Sequence, residues 1–228
     1  MRTYEIFLFD ADNTLYDYDA AEAYALQTTF EHCGFDYSES IRTKYRIFNT
    51  QVWDAYEKGE MTKEDLQPAR FDRLFKAIGV QHDAKDFNAQ YLVELGRGTF
   101  LIDGAIEVCK TIISQGKQTF IVTNGILATQ ESRIKHSLLK DYITDSFVSE
   151  VIGYKKPDIE YFEYVFSHIP QVSKDKILII GDSLTADITG GSKAGIDSCW
   201  FNLYGISNNT KIKPTYEISR LSELIRFI

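Results

Sequence analysis

Asp10 and Asp12 stand two residues apart, immediately after the apolar run Ile6-Phe7-Leu8-Phe9. Two carboxylates at that spacing can converge on one hard cation through oxygen ligands, and the Thr14 hydroxyl follows closely. A second acidic pair repeats the pattern. Ile177-Leu178-Ile179-Ile180 runs into Gly181-Asp182-Ser183-Leu184-Thr185-Ala186-Asp187, where Gly181 allows close approach and Asp187 lies about one helical turn beyond Asp182. Between the two, the run from 118 to 122 ends in Thr123-Asn124-Gly125, which offers a hydroxyl and backbone N–H groups to an anion. Lys156 precedes Pro157, a residue suited to the first turn of a helix, so the lysine is held in one place. Each cluster alone also has an ordinary explanation: an Asx turn, an Asn-Gly turn, a solvated lysine, a helix cap at Asp182 or Ser183.

The elements around these residues decide between the two explanations. Four large apolar residues ending abruptly in charge read as a strand buried on both faces of a parallel sheet, with the acids at its carboxyl end. From residue 99 onward the pattern alternates. Helices are expected over 104–114, 128–139, 159–166 and 185–194, with a closing helix over 221–227; strands over 118–122, 147–151, 176–180 and 197–201. That alternation implies an α/β fold, a doubly wound parallel sheet, and all four clusters then fall on one sheet edge. Residues 17–96 read differently, as four helices over 20–33, 38–57, 62–79 and 83–95. Thr62 with Asp65 forms a capping-box pattern, and Pro68 is expected to kink the third helix. The expected organisation is therefore a core of residues 1–16 and 97–228 carrying an all-helical insert at 17–96, with Gly96 and Gly98 as a hinge at the return.

The bulk numbers narrow the function. A chain of 228 residues with 44% hydrophobic and 14% aromatic content builds a core and is not a disordered segment. A net charge of -8 argues against binding a nucleic-acid polymer, which requires clustered Lys and Arg. Three scattered cysteines, Cys33, Cys109 and Cys199, suit neither a disulfide framework nor a zinc site. With no signal-like N-terminus and no membrane-spanning apolar run, the expectation is a soluble cytoplasmic protein with no membrane partner.

Asp10-Ala11-Asp12-Asn13-Thr14, Thr123-Asn124-Gly125, Lys156-Pro157 and Gly181-Asp182-Ser183-Leu184-Thr185-Ala186-Asp187 resemble, in order, the four motifs of the haloacid dehalogenase superfamily. The match covers essentially the whole chain, and the insert resembles the α-helical cap of the members that carry a cap after the first motif. Phe9 to Leu15, Trp53-Asp54-Ala55-Tyr56-Glu57-Lys58-Gly59 with Arg70-Phe71, and Cys199-Trp200-Phe201-Asn202 look most like the YjjG/YfnB group of nucleoside 5′-monophosphate phosphatases. Many members carry Gly where Asn13 stands here, so the backbone of that position is the expected contributor.

The resemblance implies a Mg²⁺-dependent phosphomonoesterase acting on a small phosphorylated metabolite, a nucleoside monophosphate with a pyrimidine base preferred. Asp10 would be the nucleophile and Asp12 the general acid and base. Asp10, the backbone carbonyl of Asp12, and Asp182 would hold Mg²⁺, with Asp187 acting through water, and Thr123, the Asn124 backbone N–H and Lys156 would bind the phosphoryl oxygens. The cap would close over the site; its Trp53, Tyr56 and Arg70 are placed to stack on or pair with a base, the alternative being that Trp53 and Tyr56 pack the cap's own helices. Three rivals share much of this: a phosphatase of sugar phosphates or phosphoglycolate together with a phosphosugar mutase, a metal-free 2-haloacid dehalogenase, and a non-catalytic binding module. Asp12 argues against the dehalogenase, because expelling halide needs no acid, and the intact motifs argue against the binding module.

Overall fold

A strand covered on both faces must be apolar at successive positions, and Ile6–Phe9 (β1) meets this with four residues of which none is more than 1% exposed. Its side chains alternate between two cores. In the computed structural model, which describes residues 2–228, Phe7 and Phe9 pack with Val108, Cys109, Ile112, Leu221 and Leu224 on one face. Ile6 and Leu8 pack with Phe162, Val165 and Ala194 on the other.

Four helices follow β1: α1 (Tyr18–His32), α2 (Glu39–Glu57), α3 (Lys63–Ile78) and α4 (Ala84–Arg97). The chain continues through α5 (Ala105–Ser114), β2 (Gln118–Thr123), α6 (Leu127–His136), β3 (Asp145–Val148), α7 (Ser149–Ile152), α8 (Ile159–His168), β4 (Ile177–Gly181), α9 (Thr189–Ala194), β5 (Asp197–Phe201) and β6 (Tyr216–Ile218). The six strands form one sheet in the order β3-β2-β1-β4-β5-β6, every pair parallel. The connections run to β2 and β3 on one side of β1, then to β4, β5 and β6 on the other. Phe9 is in register with both Ile121 and Ile180, so the carboxyl ends of β1, β2 and β4 lie level where the winding direction reverses, the ligand-binding crevice of such sheets.

The chain divides into two compact units, one made of residues up to Tyr18 together with Thr99–Ile228 and the other of Asp19–Gly98. The second is wholly helical. Ser38 Oγ accepts the Ile41 N–H at the start of α2, Asp83 Oδ1 accepts the Lys85 and Asp86 N–H groups at the start of α4, and Thr62 Oγ1 both accepts the Asp65 N–H and donates to the Asp65 carboxylate. Pro68 lies in the interior of α3 without ending it. The unit's core is aromatic: Phe71 sits 4.9 Å from Phe87, 5.1 Å from Tyr91 and 5.2 Å from Tyr45 between ring centroids. Arg70 is buried in that core, its guanidinium bonded to Asn49, Asn88 and the Gln67 carbonyl and facing the Tyr91 ring at 5.0 Å. These contacts are all to residues of the helical unit itself. Trp53 and Tyr56 are half-buried and meet edge to face.

Several boundaries differ from expectation for identifiable reasons. The strand expected over 147–151 is β3, Asp145–Val148, after which Ser149–Ile152 turns into the short α7 and leaves Val151 exposed; the β-branched residues there suggested a longer strand. The helix expected over 128–139 stops at His136, and Ser137 takes an extended backbone. The helix expected over 185–194 opens with a π-type turn at Leu184–Ile188 before α9, and the closing helix is a 3₁₀ segment, Leu221–Phe227. β6 was not anticipated at all. Pro157 does not start α8, which begins at Ile159 behind Asp158. At the return from the helical insert, Gly98 has an ordinary φ of -72°; the absent side chain matters because a Cβ there would lie 2.8 Å from that of Ala21.

Candidate active site

Asp10 is the residue that leaves β1, and its N–H still donates to the Ile180 carbonyl at 2.8 Å, so the sheet fixes where its carboxylate begins. Asp182 leaves β4 in the same way, its backbone carbonyl anchored by the Trp200 indole N–H at 2.8 Å. Asp187 belongs to the π-type turn, and its Oδ2 accepts the Ser183 N–H at 3.1 Å. Ser183 Oγ in turn caps that turn by accepting the Ala186 N–H, so capping and site-building coexist. One carboxylate oxygen from each of Asp10, Asp182 and Asp187 lies within 4.8 Å of the others. Gly181 makes this approach possible, since a Cβ at that position would fall 2.1 Å from Asp187 Oδ2.

Lys156 enters this cluster from the segment between α7 and α8. Its side chain is buried, and Nζ donates to Asp10 Oδ1 at 2.7 Å, to Asp187 Oδ1 at 2.7 Å and to the Val122 carbonyl at 2.6 Å. The solvated-lysine explanation is thereby removed. The lysine's backbone is held by Asn124, whose Oδ1 accepts the Lys156 N–H at 2.8 Å and whose Nδ2 donates to the Lys156 carbonyl at 2.9 Å. Thr123, the last residue of β2, has its Oγ1 accepting the Gly125 N–H at 2.9 Å, which leaves the hydroxyl proton to be donated elsewhere. Thr14 Oγ1 stands 3.4 Å from Asp10 Oδ2.

Three carboxylates and one ammonium in a buried site do not balance. Burial pushes the Asp10 carboxyl up to about 7, with Lys156 opposing the shift and Asp187 adding to it. Burial also raises Asp182 well above the usual carboxylate range, and its neighbours Asp10 and Asp187 raise it further. Burial works against the charge on Lys156, but the Asp10 and Asp187 carboxylates outweigh it and raise its pKa. The excess negative charge, the all-oxygen donor set and the short oxygen separations fit a hard divalent cation of the Mg²⁺ type.

The Asp12 carboxylate takes no part in that cluster of three. Its Oδ1 is ion-paired with Arg133 Nη1, and its Oδ2 accepts the Gln130 Nε2–H at 2.6 Å. The two residues were not anticipated; one turn apart on α6, they have the spacing of any polar helix face. Between Asp12 and Thr14, Asn13 has φ 58°, the sole non-glycine residue in the left-handed region among the described residues. Asn and Gly are the residues that tolerate this conformation, which accounts for either occupying the position.

Sequence and fold comparisons identify the family. The model of the haloacid dehalogenase-like hydrolases matches residues 7–201, and the chain belongs to that family. Over its whole length it is 42% identical to the HAD-hydrolase YfnB of Bacillus subtilis, covering 97% of that protein. A crystal structure of YfnB bound to magnesium superposes with a TM-score of 0.93, covering 99% of this chain and 98% of that one. The pyrimidine 5′-nucleotidase PynA of Streptococcus pneumoniae is 36% identical over 97% of this chain and 94% of its own length. The pyrimidine 5′-nucleotidase YjjG of Escherichia coli is 29% identical over 95% and 94%. No helix among the described residues is long and apolar enough to cross a membrane.

Proposed function

We propose that this hydrolase is a Mg²⁺-dependent phosphomonoesterase that works through an aspartyl-phosphate on Asp10 and takes nucleoside 5′-monophosphates, pyrimidines preferred. The observation that carries the proposal is the buried contact of Lys156 with Asp10 inside a cluster of three carboxylates, beside a fourth carboxylate, Asp12, held apart from them. A buried nucleophile next to a cation site and a separate acid is the set of groups that phosphoryl transfer requires.

In this reading Asp10 attacks phosphorus while the bond to the leaving oxygen breaks, and that oxygen takes a proton from Asp12. Asp12, now a carboxylate, accepts a proton from water as the water attacks the aspartyl-phosphate, releasing inorganic phosphate and freeing Asp10. The Thr123 hydroxyl, the Asn124 backbone N–H and the Lys156 ammonium bind the phosphoryl oxygens, where charge is shared in the transition state. Asp10, the Asp12 backbone carbonyl and Asp182 are the residues that would hold Mg²⁺, with Asp187 acting through water. When bound, the ion neutralises phosphoryl charge. Lys156 and Asn124 act as a unit, since one residue's side chain sets the other's backbone. The helical unit, read as a cap, is the element that selects among phosphomonoesters. The names of PynA and YjjG support the pyrimidine nucleotide as substrate.

The test is phosphate release with Mg²⁺ from a panel of UMP, dUMP, dTMP, AMP, GMP, glucose phosphates and phosphoglycolate, with Asp10→Asn as control. Pyrimidine monophosphates turning over fastest, and no release by the variant, is the expected result. Faster turnover of sugar phosphates or phosphoglycolate overturns the substrate and leaves the chemistry. Absence of Mg²⁺-dependent release from every compound overturns both.

A further inference from the structure

Asp12 meets one of its two buried partners past a glycine. A Cβ at Gly125 would lie 2.3 Å from Gln130 Nε2, so only a residue without a side chain lets Gln130 cross the turn after β2 and meet Asp12 Oδ2. Arg133 is wholly buried, and its Nε and Nη2 reach no hydrogen-bond acceptor. The pairing of this cation therefore runs through Nη1 to Asp12 Oδ1. Its guanidinium carbon stands 5.3 Å from the centre of the Tyr16 ring, and Tyr16 is itself fixed by the N–H of Asn13 donating to its carbonyl at 2.8 Å. Both oxygens of one carboxylate are thus held by two buried donors from a single helix, each with its approach defined by the protein. A buried arginine left with so few acceptors is an expensive feature for a fold to keep merely for stability.

We infer that Arg133 and Gln130 are a positioning pair that aims the Asp12 carboxyl group for proton transfer to the leaving oxygen. The inference rests on the acid role of Asp12 in the proposed reaction and adds to it the residues that set its direction. The fork on α6 fixes the plane of the carboxyl group and keeps it out of the Asp10, Asp182 and Asp187 cluster, where it would compete for the cation. When Asp12 has given its proton to the leaving oxygen, the resulting carboxylate already faces a guanidinium. The same contact then holds it in place to take a proton from water.

Leaving-group dependence separates positioning from a structural role. A 4-nitrophenolate leaves with little need of a proton, whereas the alkoxide of a nucleoside needs one. The experiment compares kcat/KM for UMP, or the alkyl phosphate ranked first by the release panel, with kcat/KM for 4-nitrophenyl phosphate in Arg133→Met, Gln130→Met, Arg133→Lys and Asp12→Asn. The ratio of the two is independent of how much protein is folded. Arg133→Met is expected to lose on the order of tenfold or more in that ratio, Gln130→Met to lose it in part, and Arg133→Lys to recover some of it. Equal losses on both substrates, or none, in Arg133→Met and Gln130→Met overturn the inference. If Asp12→Asn alone loses the ratio, the acid role stands and the positioning pair does not. If Asp12→Asn loses equally on both substrates, the acid role fails and the inference with it.

Discussion

The side-chain amide of Asn124 closes a two-bond ring on the backbone of Lys156, donating to its carbonyl at 2.9 Å and accepting its N–H at 2.8 Å. A residue at the end of one strand thereby fixes a lysine that arrives from a segment more than thirty positions later. Asn124→Ala removes both bonds, at a cost of about 1–3 kcal/mol for the backbone groups left behind. Lys156 then samples positions away from Asp10, and a shift on the order of 1 Å costs up to about 10²-fold in rate. Steady-state kinetics should show kcat/KM reduced by on the order of 10- to 100-fold with the fold intact by circular dichroism. An unchanged kcat/KM would mean that the lysine is held by the bonds of its ammonium to Asp10, Asp187 and the Val122 carbonyl.

The proposed cation site would link metal binding to pH through Asp10, and through Asp182 in the same direction. The Asp10 carboxyl titrates near 7 in the folded protein against an ordinary value of 3.8, so the folded metal-free protein keeps its proton more firmly than the unfolded chain does. That contribution to stability is fully present below about pH 4 and is lost as pH rises through about 7. A hard cation needs the deprotonated group, so binding Mg²⁺ displaces protons in the same window. Thermal unfolding with and without Mg²⁺ should give a larger rise in Tm at pH 8 than at pH 6, and calorimetry should find affinity falling by about tenfold or more per pH unit below 7. Equal Mg²⁺ stabilisation at both values would contradict the raised Asp10 pKa.

Gly181 tests whether close packing builds the carboxylate cluster. The Cβ of Gly181→Ala would lie 2.1 Å from Asp187 Oδ2 and 2.2 Å from its Cγ, inside a buried turn that has little room to move. Overpacking of this kind costs about 1–3 kcal/mol and lowers Tm by on the order of 5 °C. The variant should also lose Mg²⁺ affinity, measured by calorimetry at pH 8, since Asp187 is pushed off its position. Normal affinity with a lowered Tm would mean that Asp187 does not help to hold the cation.

The parts of this architecture legible in the sequence are those where one local pattern carries the information. β1 and β4 announce themselves because a strand covered on both faces must be apolar throughout, and the acids that follow are conspicuous against it. The capped helices of the insert were equally plain, because Ser38, Thr62 and Asp83 are capping residue types in capping positions. β6 was hidden because three residues behind a polar loop form a strand only when β5 is beside them. The contacts of Gln130 and Arg133 with Asp12 were hidden for a related reason: on α6 they look like solvent-facing polar residues, and only the packing of α6 beside the end of β1 brings them to Asp12. The place of Arg70 was open in the sequence, since a cation on an aromatic helix can face a ligand or its own core, and only the fold brings the rings and amides of the helical unit around it.

The central claim, that Asp10 carries the phosphoryl group, is tested most directly by stopping the Mg²⁺ reaction in acid within milliseconds and mapping the protein by mass spectrometry. The account predicts one phosphoryl group on the peptide containing Asp10, appearing before free phosphate reaches its steady rate and absent in Asp10→Asn. Phosphate released at the full rate with no phosphorylated Asp10 at any time point would contradict it and assign the attack on phosphorus to water.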